Sequence, residues 1–149
     1  MMKKIIKWIL VLLWMGLIFY FSSRDDIDST KQSQSIVNKT NIVNVYEEKA
    51  NVDKETALED VDRIFRKIAH GVEYMVLGIL LCIALNEHNL SLKKIIIISI
   101  FICICYSITD EVHQLYVSGR SGEVRDVIID SIGSLFGIMG HVLVRRRIL

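Results

Sequence analysis

Apolar positions along this chain fall into blocks that are continuous, with none of the alternation that marks a half-buried strand. The first is IIKWILVLLWMGLIFYF, residues 5–21. The second is IAHGVEYMVLGILLCIAL, residues 68–85, and the third is IIIISIFICICYSIT, residues 95–109. The fourth is VIIDSIGSLFGIMGHVLV, residues 127–144. A helix needs about 20 apolar residues to cross the hydrocarbon, with short spans from about 17. Four membrane helices are therefore predicted. The third reaches spanning length only through Thr109 and by snorkelling of Lys93 and Lys94. With no proline in the chain, nothing in it dictates a kink.

Between the first and second blocks lies a long polar segment, 22–67. Its first half is rich in Ser, Asn, Asp and Gln and reads as loosely ordered. Its second half is helical in composition. Thr56 and Glu59 have capping-box spacing, and EDVDRIFRKIAH continues toward the second block. An amphipathic helix is expected there, with its charges on a solvated face. The fold expectation is all-α: one membrane domain over 1–149, a bundle of four transmembrane helices with an extra amphipathic helix before the second span.

Composition adds little beyond this pattern: 52% hydrophobic residues and 23% charged suit a soluble domain as well. Charge is more informative. The net value of +1 excludes the strongly basic face of a nucleic-acid binder. The N-terminus carries Lys3, Lys4 and Lys7, the turn after the second block Lys93 and Lys94, and the C-terminus Arg145, Arg146 and Arg147. Four spans put these three regions on one side, and the positive-inside rule makes that side cytoplasmic. Both termini are then expected inside, and segments 22–67 and 110–126 outside. The first block follows Lys3 and Lys4 as a signal peptide would. It exits through FYFSSRDD without a small-x-small cleavage site, so a retained anchor is expected. Cys82, Cys103 and Cys105 lie inside apolar blocks, lack zinc spacing, and read as small buried hydrophobes.

On this topology the ionisable residues near span ends collect at the outer face. Arg66, His70, Glu73 and Leu77 recur at helical intervals, as do Tyr106, Asp110, His113 and Gln114. Asp126, Asp130, Gly133 and Gly137 form a third stripe, and GSLFG at 133–137 is a small-x-x-x-small pattern that lets helices approach closely. Glu73 and Asp130 sit about a turn inside their spans. An unpaired carboxylate at full depth costs roughly 2.5–3.5 kcal/mol, so both are expected to face inward toward partners. Between Gly119 and Gly122, Arg120 is expected on a flexible loop that aims it at the same place.

These residues admit three chemistries. His70, Glu73, Asp110, Glu111 and His113 have the titratable groups of a proton-transfer site, with no evident activated serine or cysteine. Arg66, Lys67, Tyr74, Gln114, Arg120, Asp126 and Asp130 would line the binding site, and its cations suit a phosphate. Acting on an envelope lipid or lipid-linked precursor is one expectation; non-catalytic binding or transport of an anionic headgroup or glycopeptide is the other. A third, within either, is a divalent metal on His70 and Glu73, completed from Asp110, His113, Asp126 or Asp130. No metal ligand is assigned on sequence alone, and the cofactor is unknown.

Arg66-Lys67-x-x-His70-x-x-Glu73-Tyr74, followed by Asp110-Glu111-x-His113-Gln114, Arg120, Asp126 and Asp130, resembles the VanZ-like membrane protein family. WMGLIFYFSS, residues 14–23, resembles that family's first-span exit. The likeness runs from the first span to the fourth and is weak over 24–60. It implies a bacterial cell-envelope protein of the cytoplasmic membrane, in a family whose founding member is tied to teicoplanin resistance; it supplies no reaction. In one respect the chain departs from the pattern: Asn is common where Asp130 stands, and a carboxylate there adds charge and metal-binding capacity.

Overall fold

The protein was analysed as a computed structural model that describes residues 2–23, 42–117 and 122–148, less the side chains of Arg146 and Ile148. Segment 24–41 and residues 118–121, Arg120 among them, lie outside the described residues.

The described residues form helices and their connections. They are α1 (Met2–Ser22), α2 (Ile42–Ala50), α3 (Lys54–Leu85), α4 (Leu92–Gln114) and α5 (Val124–Ile148), with a 3₁₀ turn, Asn86–His88, between α3 and α4. Of these, α1, α3, α4 and α5 are long and apolar enough to cross a membrane. The expected all-α bundle is thus present. The extra helix is α2, whose Val43 packs with Ala57 and Val61 of α3.

The capping-box reading of Thr56 and Glu59 needs correction. The cap is Asp53, whose carboxylate accepts from Thr56 N at 2.9 Å and Thr56 Oγ1 at 3.0 Å. Its extended backbone (φ −70°, ψ 163°) is the ordinary N-cap conformation. From there α3 runs 32 residues without a break, roughly 48 Å at 1.5 Å per residue. The amphipathic stretch before the second span is therefore the first part of the spanning helix itself. Nor is it wholly solvated: Asp62 is buried and paired with Arg66 at 3.3 Å.

Asp53 has its carboxyl held below the usual range by the Thr56 backbone and hydroxyl hydrogen bonds. A depressed carboxylate stabilises above its unfolded pKa, and that stabilisation is lost as pH falls through the folded value. Acidification to about pH 3 is therefore expected to fray the first turn of α3, read as faster amide hydrogen exchange at Thr56 and Ala57. Asp53→Ala should show that exchange already at neutral pH.

Contacts at the two ends fix the up-and-down order. Lys7 pairs with Glu87, and Trp8 Nε1 donates to His88 Nε2 at 2.9 Å. The start of α1 thus lies beside the α3–α4 turn. At the other end, Gln114 Nε2 donates to Ser22 Oγ at 3.0 Å. Lys67 reaches Asp126 of α5 at 2.6 Å. Hence the end of α1, the middle of α3, the end of α4 and the start of α5 meet, and the basic clusters collect at the opposite end.

The bundle inverts the soluble pattern. On α4, Ser99, Cys103, Ser107, Asp110 and Gln114 are buried, while Ile97, Phe101, Ile108 and Val112 are exposed. That suits a chain whose outside is hydrocarbon and whose polar groups must find partners within. Cys82 and Cys103 are buried as expected, but Cys105 is exposed on the apolar outer face. Helices α3 and α5 form the most extensive pair. Their backbones touch through Gly71, Gly78, Gly133 and Gly137, as the GSLFG pattern requires.

Candidate functional site

Two helices deliver carboxylates to one end of the bundle. Asp110 and Glu111 come from the last turn of α4, Asp126 and Asp130 from the first two turns of α5, and Glu123 from just before α5. Asp130 is fully buried, and Asp110 and Glu111 are 2% and 6% exposed. Asp110, Glu111 and Asp126 are near enough to act electrostatically on Asp130. α5 can carry Asp130 so deep because its glycines bring it against α3.

Each acid is held differently. Asp130 Oδ2 accepts from Ser107 Oγ at 2.7 Å, while its Oδ1 is buried and makes no hydrogen bond. Glu111 Oε2 accepts from the Glu123 backbone N–H at 2.8 Å, and its Oε1 is likewise buried without a hydrogen bond. That bond closes the connection between α4 and α5 from below. Gly122 makes it possible, since a Cβ there would lie 2.6 Å from the Glu111 carbonyl oxygen. The expected flexible loop is thus pinned at this edge, while its centre and Arg120 fall outside the described residues. Asp126 and Glu123 share Lys67 Nζ at 2.6 and 3.0 Å. Lys67 holds the Glu123 carboxyl below its ordinary range through that hydrogen bond and its charge.

The remaining residues predicted from sequence divide in two. Tyr74 belongs with the acids: it is fully buried, and Asp110 and Asp130 act on its hydroxyl. His70 and Glu73 lie half-buried on the same helix, with His70 Nδ1 and Glu73 Oε2 as buried atoms. His113 and Gln114, by contrast, turn toward α1. The His113 ring stacks on Phe19 at 4.3 Å, and Gln114 is tied to Ser22. His113 stands three positions from Asp110, about 60° round the helix, and that offset sets its ring against Phe19 of α1.

Ser23 Oγ lies 3.1 Å from His113 Nε2, the separation of a serine–histidine pair. Its proton, however, goes to the Phe19 carbonyl at 2.6 Å. Ser23 therefore accepts from His113 and is not activated by it. The phosphate-clamp expectation for Arg66 and Lys67 meets a similar obstacle, since Asp62 engages the first and Asp126 and Glu123 the second. Among the described residues, no group of three or more His, Cys, Asp or Glu has an arrangement that could hold a metal ion. A shallow apolar recess over Ile42, Val45, Tyr46 and Lys49 of α2 shares no residue with the site.

Sequence reasoning missed Ser107 and Trp14. Ser107 carries the hydrogen bond to Asp130, and its signal was the four-residue spacing Ser99, Cys103, Ser107 that runs into Asp110 and Glu111. Trp14 donates to the Glu73 carbonyl at 2.9 Å, which fixes α1 against α3 below the site. Nothing in the sequence separates that tryptophan from one facing lipid.

The VanZ/LLP1 family model matches residues 7–145, which takes in all four spanning helices and every site residue. Searches of curated proteins and of solved structures find no match. With the match covering nearly the whole chain, this multi-pass membrane protein belongs to the VanZ/LLP1 family.

Proposed function

We propose that this protein acts at the bacterial cell envelope, with the carboxylate end of its bundle facing out of the cytoplasm. There it would transfer a proton to or from the headgroup region of an envelope lipid or lipid-linked precursor. One observation carries the reading: Glu111 is buried, its Oε2 fixed by Glu123 N–H and its Oε1 left with no hydrogen bond. A carboxylate so held has one oxygen locked and one open to a proton, the arrangement a general acid or base needs. Asp110 and Asp126 stand close enough to act on it electrostatically. A change in teicoplanin susceptibility is the phenotype such an activity would carry.

The orientation rests on the basic clusters at the opposite end, which the positive-inside rule assigns to the cytoplasm. Tyr116 is exposed at the carboxylate end. In intact cells Tyr116→Cys is expected to react with a membrane-impermeant maleimide. Labelling seen only after the cells are opened would reverse the topology.

The activity is tested by comparing lipid and precursor profiles of cells that express the wild type or Glu111→Gln. A species altered by the wild type and not by the variant supports proton transfer. Identical profiles, with both proteins folded and abundant, would overturn it. Non-catalytic binding or transport is the second reading, favoured by the Ser23 geometry, which leaves the site's one described serine–histidine pair without an activated nucleophile.

A further inference from the structure

Apolar surface does not stop at the ends of the four spans; it continues onto the hairpin of α2 and the start of α3. We propose that this hairpin is seated in the bilayer leaflet at the carboxylate end, whichever compartment that leaflet faces. The contact would be one flank of α2, formed by Ile42, Val45, Tyr46 and Lys49, against the glycerol and upper acyl region of the lipids. Ile42 and Val45 are 55% and 49% exposed, and the four side chains line one shallow recess. They recur at intervals of three and four, so they form a single stripe along the helix.

Helix lengths set the height of that stripe. α3 is roughly 48 Å long and the hydrocarbon about 30 Å thick, so about 18 Å of the helix stands beyond it. Counted back from Leu85, about 20 residues fill the hydrocarbon, which puts its edge near Arg66 and Lys67. Only residues 51–53 connect α2 to α3, and so short a connection returns the chain antiparallel. Tyr46 Oη donates to Asp60 Oδ2 at 3.2 Å, and Val43 packs with Val61, which sets the register. The start of α2 therefore points back toward the membrane. Ile42 and Val45 stand at the level of Val61, about 8 Å beyond Arg66 and within the interfacial layer.

Two features of the surface select lipid as the occupant. The first is continuity. Ala57 and Val61, which α2 covers, lead at helical spacing to Ile64, Ile68 and Val72, all exposed. Ile68 and Val72 lie in the span and face hydrocarbon. One apolar column thus runs up α3 to the foot of α2, and a soluble protein could not cover its lower part. The second is a gradient along the stripe. Ile42 and Val45 occupy its low end. Tyr46 puts its ring on the recess and its hydroxyl on Asp60, an apolar body with a polar tip. Lys49, highest and exposed, lends its stem to the recess and leaves its charge to water. Apolar below, amphipathic between and cationic above is the order in which a leaflet surface changes.

Spin labels in nanodiscs of phosphatidylethanolamine and phosphatidylglycerol test the seat by depth, since oxygen concentrates in lipid and a nickel chelate in water. Cys105 is exposed and is first replaced, as Cys105→Ser; Cys82 and Cys103 are buried. A label at Val45→Cys is expected to meet oxygen more than nickel, and Ile42→Cys serves as a second position should the first fail to accumulate. At Glu48→Cys, off the stripe and nearer water, the order should reverse. Adding Ile42→Asp to Val45→Cys should shift the label toward nickel. Nickel access at position 45 equal to that at 48, or no shift with Ile42→Asp, would overturn the seat. Shielding from both reagents would also overturn it, because protein then covers the flank. That protein is a second copy if the shielding vanishes in nanodiscs holding one chain each, and another part of this chain if it stays.

Discussion

Gly137→Ala is expected to prevent the bundle from closing, and Gly133→Ala to do nearly the same. A Cβ on Gly137 would stand 2.0 Å from the Met75 carbonyl oxygen, and one on Gly133 2.1 Å from that of Gly71. Real Cβ contacts essentially never fall below 3.0 Å, so α3 and α5 would have to part by about an ångström. Neither carbonyl can rotate aside, because both are backbone inside α3. Overpacking on this scale costs about 1–3 kcal/mol or more, and here the displacement also strips contacts along the most extensive helix pair. In a membrane that loss is not offset by water, since close packing is what holds helices together there. The glycines at 16 and 140 make the internal control: a Cβ on either meets nothing within 4 Å. Gly140→Ala and Gly16→Ala should match the wild type in detergent thermal unfolding, while the two interface variants should unfold far earlier or fail to accumulate. Equal stability of all four would mean that α3 and α5 do not pack as described.

The contrast between these glycines also shows what the sequence could express. GSLFG at 133–137 announced a close helix approach, because spacing of four on a helix is independent of everything else. Its partner was not legible: Gly71 and Met75 offer their carbonyls only because α3 crosses α5 at that height. The four spans were readable from apolar length, and so was the collection of acids at one end, because topology alone sorts span ends. What failed was the resolution of one end into faces. His113 and Asp110 are three positions apart and read as one stripe, yet one faces α1 and the other the acids. Gln114, expected among the ligand-binding residues, hydrogen-bonds Ser22 and so fastens α4 to α1. How the cations are engaged is hidden for a related reason. Arg66 and Lys67 looked like a phosphate clamp because their carboxylate partners, Asp62, Glu123 and Asp126, lie one turn away or about 60 residues on. Charge in a sequence has sign and position along the chain, but neutralisation is a property of the folded end.

The second large effect is expected at Glu111, where function and stability should separate. Glu111→Gln keeps a carbonyl oxygen to accept from Glu123 N–H, so the connection between α4 and α5 stays pinned. It also removes a titratable acid from beside Asp110 and Asp126, groups whose charges oppose its own. Stability should therefore be unchanged or slightly higher. The amide cannot exchange a proton, and loss of a positioned acid or base lowers rates by about 10²–10⁴-fold. The wild-type change in lipid or precursor profile should fall by at least about a hundredfold in rate. Glu111→Ala removes both properties: the Glu123 N–H loses its acceptor, at a cost of about 1–3 kcal/mol. Comparing the two variants tells a chemical role from a structural one, since a carboxylate that only pins the connection would make alanine harmful and glutamine silent. Glu123→Gln completes the comparison. Its side chain pairs with Lys67 at the surface, its backbone N–H is untouched, and the exposed pair contributes under about 1 kcal/mol, so both stability and profile should survive. A profile lost in Glu111→Gln and kept in Glu123→Gln locates the proton on the buried acid, not in the surface charge around it.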